Sequence, residues 1–150
     1  MMPRTGLPEE RWDRALVRLT MLAVFLALGH HLDHAIRGNH VGWPLTGDLN
    51  AFTFSLGIYP AIVVGLLLYR AGQVGPGFWA FLSGGGAVFL AIIHFSPIAI
   101  EPPSHIIELY NPPIVGWFAF GWLVVLVAVL ALTCIVELRL WSRRRTGRTA

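Results

Sequence analysis

Six histidines occur in 150 residues, and four of them fall in one stretch, Gly29-His30-His31-Leu32-Asp33-His34-Ala35-Ile36-Arg37-Gly38-Asn39-His40. A neutral imidazole offers a lone pair to a transition metal, and His30 with His34, at i and i+4, lets one helix supply two such donors. His94 would be a third ligand from a different segment. Zinc, copper and iron all accept imidazole, so the residue types do not separate them. Further along, Glu101, His105 and Glu108 stand at spacings of four and three, which puts them on one face if the segment is helical. His105 would then be a fourth ligand, and Glu101 or Glu108 a catalytic acid or base acting on a bound water. Asp33 and Arg37, again at i and i+4, either pair as ions or serve as substrate-binding groups, with Arg37 holding an anionic headgroup.

Each of these residues also has a plainer reading. A histidine pair near a helix end can simply hydrogen-bond headgroups or carbonyls, and Glu101, His105 and Glu108 can be a solvated loop face. His31 and His40 read as interfacial side chains.

The elements that must position these groups are membrane helices. With 55% hydrophobic residues, 13% charged residues and a mean hydropathy of +0.65, the chain is more apolar than an ordinary soluble domain. The pattern predicts an all-α polytopic membrane protein, a four-transmembrane-helix bundle. Spans fall at about 15–36, 51–69, 78–96 and 114–136, each near the length of about 20 residues that a bilayer core requires. Residues 1–14 and 141–150 are tails flanking this 15–140 transmembrane domain. Pro60 lies in the middle of the second span, where proline is tolerated if neighbours satisfy the freed carbonyl. Gly57, Ala61 and Gly65 recur at four-residue spacing, which suits close helix approach, and Ser83-Gly84-Gly85-Gly86-Ala87 suits either close packing or a flat ring. Residues 98–113 are too broken by proline to span, but 104–110 can form a short interfacial helix. Cys134 is the only cysteine, which excludes an internal disulfide.

The net charge of +3 comes from eleven arginines and no lysine. All but Arg37 lie in the first eighteen residues, at position 70, or after position 138, which is a topology signal and not a nucleic-acid footprint. It predicts a multi-pass protein of the cell membrane with N and C termini cytoplasmic, Trp12, Trp79 and Trp141 at the inner interface, and Trp43 and Trp117 at the outer. A signal peptide cleaved after Gly29 is the rival for the first span. With four spans, all six histidines gather at the outer edge together with Asp33, Asp48, Glu101 and Glu108. On helical wheels, Ala23, Ala27, His30, His34 and Arg37 share one face, and so do Ala80, Ser83, Ala87, Ala91 and His94. In both helices the histidines share a face with small residues, which is where membrane helices pack.

Three functions follow. The first is a transition-metal site in a lipid bilayer protein, which with an open coordination position would hydrolyse an ester or amide in a lipid-soluble substrate. The second is electron transfer through haem b with one axial histidine from the first span and His94 from the third. This resembles the bis-histidine plan of membrane cytochromes b in ligand chemistry, although the second and fourth spans carry no histidine. His-x-x-x-His and His-His also resemble motifs of membrane fatty-acid hydroxylases and desaturases, which use more histidines on the cytoplasmic side; neither resemblance amounts to membership. The third is a non-catalytic subunit or assembly factor whose small-residue faces bind a membrane-protein partner or a second copy in a homo-oligomer. Nucleic acid is not an expected partner.

Overall fold

The structure, a computed structural model, describes residues 8–37 and 49–146, with side chains from residue 14. His40, Trp43 and Asp48 lie outside the described residues, as does the side chain of Trp12. The described chain is helical, without strands: α1 Pro8–Arg37, α2 Ala51–Ser55, α3 Ile58–Arg70, α4 Pro76–Phe95, α5 Pro103–Ile107 and α6 Pro113–Thr146. Four stretches are long and apolar enough to cross a membrane, Arg14–Arg37, Ala51–Arg70, Pro76–Phe95 and Pro113–Thr146. In such apolar runs the helix is the form in which each backbone group finds its partner within the segment.

The expected spans are all present, with different ends. α1 begins upstream of Ala15 and α6 continues to Thr146, past Val136. The second span is divided. Pro60 has no N–H for the carbonyl of Leu56, and its ring crowds that carbonyl. The helix therefore breaks at Leu56 and Gly57 and restarts at Ile58, with a tight Tyr59 N–H to Leu56 O bond of 3.2 Å across the junction. Asn50 caps the first piece, accepting from the Thr53 N–H at 2.9 Å while Thr53 Oγ1 accepts from the Asn50 N–H. α4 opens with Pro76 in its first turn and stops at Ser96, which is held extended before Pro97.

α6 is the hub, packing against α1, α4 and α5. Its buried side chains Leu123, Leu126, Thr133, Glu137 and Leu140, with half-buried Leu130, recur at alternating spacings of three and four, the seam of a left-handed helix pair. Glycines set the closeness of each contact. A Cβ at Gly29 of α1 would lie 2.6 Å from the Trp122 ring of α6, whose Nε1–H donates to the Leu26 carbonyl at 2.8 Å. A Cβ at Gly84 of α4 would lie 2.9 Å from the Cys134 sulfur, and one at Gly116 of α6 would run into the Ile107 carbonyl of α5.

α3 is held differently. Gly65 receives the rings of Phe78 and Trp79, but Gly57 and Ala61, expected to approach another backbone, border an open cavity instead. Trp79 is correspondingly not an interfacial marker. Its side chain is 2% exposed, packed edge-on against Tyr69 and Phe78, whereas Trp117 and Trp141 are exposed.

Candidate metal centre

Both predicted helix faces turn inward. Ala23, His30, Ala80, Ser83, Ala87 and His94 are buried, and Ala27, His34 and Ala91 are half-buried. The result is that His30, His34 and His94 offer ligand atoms all within 4.8 Å of one another. His30 Nε2 and His34 Nε2 are 3.2 Å apart. Two nitrogens at about 2.0–2.1 Å from a tetrahedral ion stand roughly 3.3 Å apart, so this pair already has the separation that a shared ion requires. The ring centroids are 4.7 Å apart for His30 and His34, 5.1 Å for His30 and His94, and 6.1 Å for His34 and His94.

His94 is oriented by the segment that follows it. After α4 the chain folds back, with the Ala99 N–H donating to Ser96 O and the Glu101 N–H donating to Ile93 O. That return brings the Glu101 carbonyl to 2.9 Å from His94 Nδ1. Nδ1–H donates to it, which leaves Nε2 as the lone-pair nitrogen, the usual way in which a protein fixes the tautomer of a ligating histidine.

The same return buries the Glu101 carboxylate, 1% exposed. Arg37 Nη1 donates to Glu101 Oε1 at 2.6 Å and to the His105 carbonyl at 3.3 Å, while Arg37 Nε donates to Asp33 Oδ2 at 2.8 Å. Asp33 Oδ1 in turn accepts from the Tyr110 hydroxyl at 2.5 Å. Burial and the Asp33 carboxylate push the Tyr110 phenol up to about 12, so it stays a donor at neutral pH. The second carboxylate oxygen, Glu101 Oε2, has no hydrogen bond of good geometry and lies 3.3 Å from His34 Nε2 and 3.6 Å from His94 Nδ1. Two carboxylates and one guanidinium leave a net negative charge beside three imidazoles, a setting that favours a cation.

Asp33 and Arg37 are thus an ion pair at 2.7 Å, with Glu101 as the further partner of the arginine. His105 and Glu108 are exposed on and just after α5 and do not join the group; Glu101 precedes that helix, so the three do not share a face. Two contributors play parts that the sequence pattern does not predict, Tyr110 and His31, the latter expected as an interfacial side chain. Tyr110 had no signal. His31 lies within hydrogen-bond distance of Ser55 Oγ through Nε2 at 2.8 Å and of the Tyr59 hydroxyl through Nδ1 at 2.7 Å, tying α1 to the broken second span. Its quarter-turn offset from His30 is what aims it there.

A cavity of about 560 Å³ opens from the histidines and runs between α1, α3, α4 and α6. Its walls are mainly apolar, with Gly85 and Gly86 bordering it, and its far end reaches Thr20, Trp79, Ser83, Thr133 and Glu137. Fold and site together define a four-span helical membrane protein with a buried histidine cluster at the head of an apolar cavity. Compared with protein-family models, with curated proteins and with solved structures, the chain matches none of them.

Proposed function

We propose that this protein binds one transition metal ion through His30, His34 and His94 and works on a lipid-soluble molecule held in the adjoining cavity. The observation that carries the reading is the convergence of three imidazoles from two helices, with ligand atoms within 4.8 Å, beside a net negative charge. A cavity of about 560 Å³ lies in the range of small-molecule sites, and its apolar walls suit a ligand that arrives from the bilayer. Bound there, such an ion supplies Lewis-acid activation of a water or a carbonyl. Glu101, with Oε2 facing the histidines and Oε1 held by Arg37, is the residue that accepts the proton; Glu108, exposed, has no part in it. Arg37 acts as the positioner of Glu101 and not as a headgroup clamp, since its charge is already met by two carboxylates.

The haem reading has less support. An axial pair must leave a flat slot for the macrocycle, yet the His30 ring lies 4.7 Å from His34 and 5.1 Å from His94, so that whichever two rings were axial the third would stand close beside the pair, where the macrocycle has to extend. The arginine distribution supports a cell-membrane protein with both termini cytoplasmic and the histidines at the outer face.

The test is elemental analysis and an absorption spectrum on the full chain, purified in mild detergent without a histidine tag. One transition metal ion per chain and no Soret band are expected, with the metal lost in His30→Ala and His94→Ala proteins of unchanged helicity. Absence of stoichiometric metal from the metal-supplied protein, or a Soret band, overturns the reading.

A further inference from the structure

At the cavity end away from the histidines, three helices contribute polar side chains at one level. Thr20 comes from α1, Trp79 and Ser83 from α4, and Thr133 and Glu137 from α6, and all five line the cavity. They are buried, with Glu137 at 0%, Thr133 at 1%, Trp79 at 2%, Thr20 at 6% and Ser83 at 7% exposure. Two of them are satisfied: Thr133 Oγ1 donates to Val129 O at 2.7 Å, and Ser83 Oγ lies 2.8 Å from Trp79 O and 2.7 Å from Glu137 Oε2. Three polar atoms are left without any hydrogen-bond partner, Thr20 Oγ1, Trp79 Nε1 and Glu137 Oε1.

Buried polar groups are nearly always paired, because leaving one unmade costs its full desolvation. Three orphans on three helices around one cavity end therefore describe the complement of something that binds. With Oε2 engaged by Ser83, Glu137 Oε1 is an acceptor in need of a donor. Trp79 Nε1–H can only donate, and the Thr20 hydroxyl supplies a second donor. One acceptor and two donors match a hydroxyl group, which has one proton to give and two lone pairs to receive. A carboxylate would bring negative charge against Glu137, and an ammonium would face two donors with no lone pair to offer them. The walls leading away from this point are apolar, as an alkyl or isoprenoid chain requires.

We propose that this end of the cavity is a recognition site for the hydroxyl head of a long-chain alcohol. The chain extends toward the histidines, about 16 Å away by the eleven residues of α4 from Ser83 to His94. The inference does not depend on a metal ion being bound.

The probe is 1-dodecanol, followed by native mass spectrometry on the full chain in detergent, with dodecyl methyl ether and dodecylamine as comparisons. The ether keeps the chain and the acceptor but has no proton to give, so it should bind roughly tenfold more weakly, the loss of one hydrogen bond to a buried group. Glu137→Leu should erase most of that preference, whereas Trp79→Phe should weaken alcohol and ether alike. Helicity and metal content, measured on the same samples, should match the parent. His30→Ala should leave the alcohol preference intact, so that failure of the metal reading and failure of this one are told apart. Equal binding of alcohol and ether, tighter binding of the amine, a preference that survives Glu137→Leu, or alcohol binding undiminished by Trp79→Phe overturns the proposal. Trp79→Phe, which keeps a benzene ring but removes the pyrrole ring with its N–H, serves if Glu137→Leu does not fold.

Discussion

The two ends of one cavity carry buried carboxylates in opposite circumstances. At the histidine end, Glu101 and Asp33 share the Arg37 guanidinium, and Tyr110 closes the remaining side of Asp33. At the other end, among the described residues, Glu137 makes no ion pair and its one side-chain hydrogen bond is with Ser83, with Oε1 unmatched. Burial of an ion is tolerated where a counter-charge and hydrogen bonds accompany it, and costs several kcal/mol where they do not. The first end is therefore a framework that holds its groups still by charge and hydrogen bonds. The second is a set of groups waiting for a neutral partner.

Removing the counter-charge is the most severe way to break this contrast. Arg37→Ala strands the buried Glu101 carboxylate and the half-buried Asp33 one and should destabilise the fold by about 3–5 kcal/mol, read as a lower unfolding temperature in detergent. Glu137→Leu should cost nothing comparable, since it removes the unmatched group itself. If the two variants melt alike, the distinction between the ends fails. Next in size, His94→Ala takes away one of three ligands and should lower metal affinity about a hundredfold or more, in a competition titration against a chelator. Glu101→Gln keeps the shape but not the charge beside the ligands, and should lower the affinity about 10–100-fold in the same titration. Tyr59→Phe is the mildest. It frees His31 Nδ1 of one partner at about 1 kcal/mol and should show as faster hydrogen exchange in α2 and α3 with metal content unaltered.

The histidine cluster was legible because its chemistry and its geometry use the same signal: rare residues at helical spacing on faces otherwise lined with alanine and glycine. The number of spans was legible from hydropathy alone. Glu137 was not, because a glutamate two residues before Arg139 near the end of an apolar run looks like the edge of the membrane. Its burial depends on α6 continuing to Thr146 and on α4 presenting Ser83 at the same level. The alternating three-and-four recurrence of Leu126, Leu130, Thr133, Glu137 and Leu140 was the available clue that this residue sits in a packed seam. Glu101 was visible as a candidate but not its place, since the fold-back after Ser96 is made by backbone hydrogen bonds that no side-chain pattern encodes. The division of the second span was half legible: Pro60 marks it, but the break falls one turn earlier, at the carbonyl that the ring displaces.

Gly116 touches neither a histidine nor a carboxylate, yet α5 rests on it so closely that even a methyl group there would collide with the Ile107 main chain. Because main chain cannot rotate out of the way, an alanine at that position would lever α5 off the hub. The strain would travel up the short connection to Glu101, six residues before Ile107, and unseat its grip on His94. The histidine end is thus latched at a distance by the smallest side chain available.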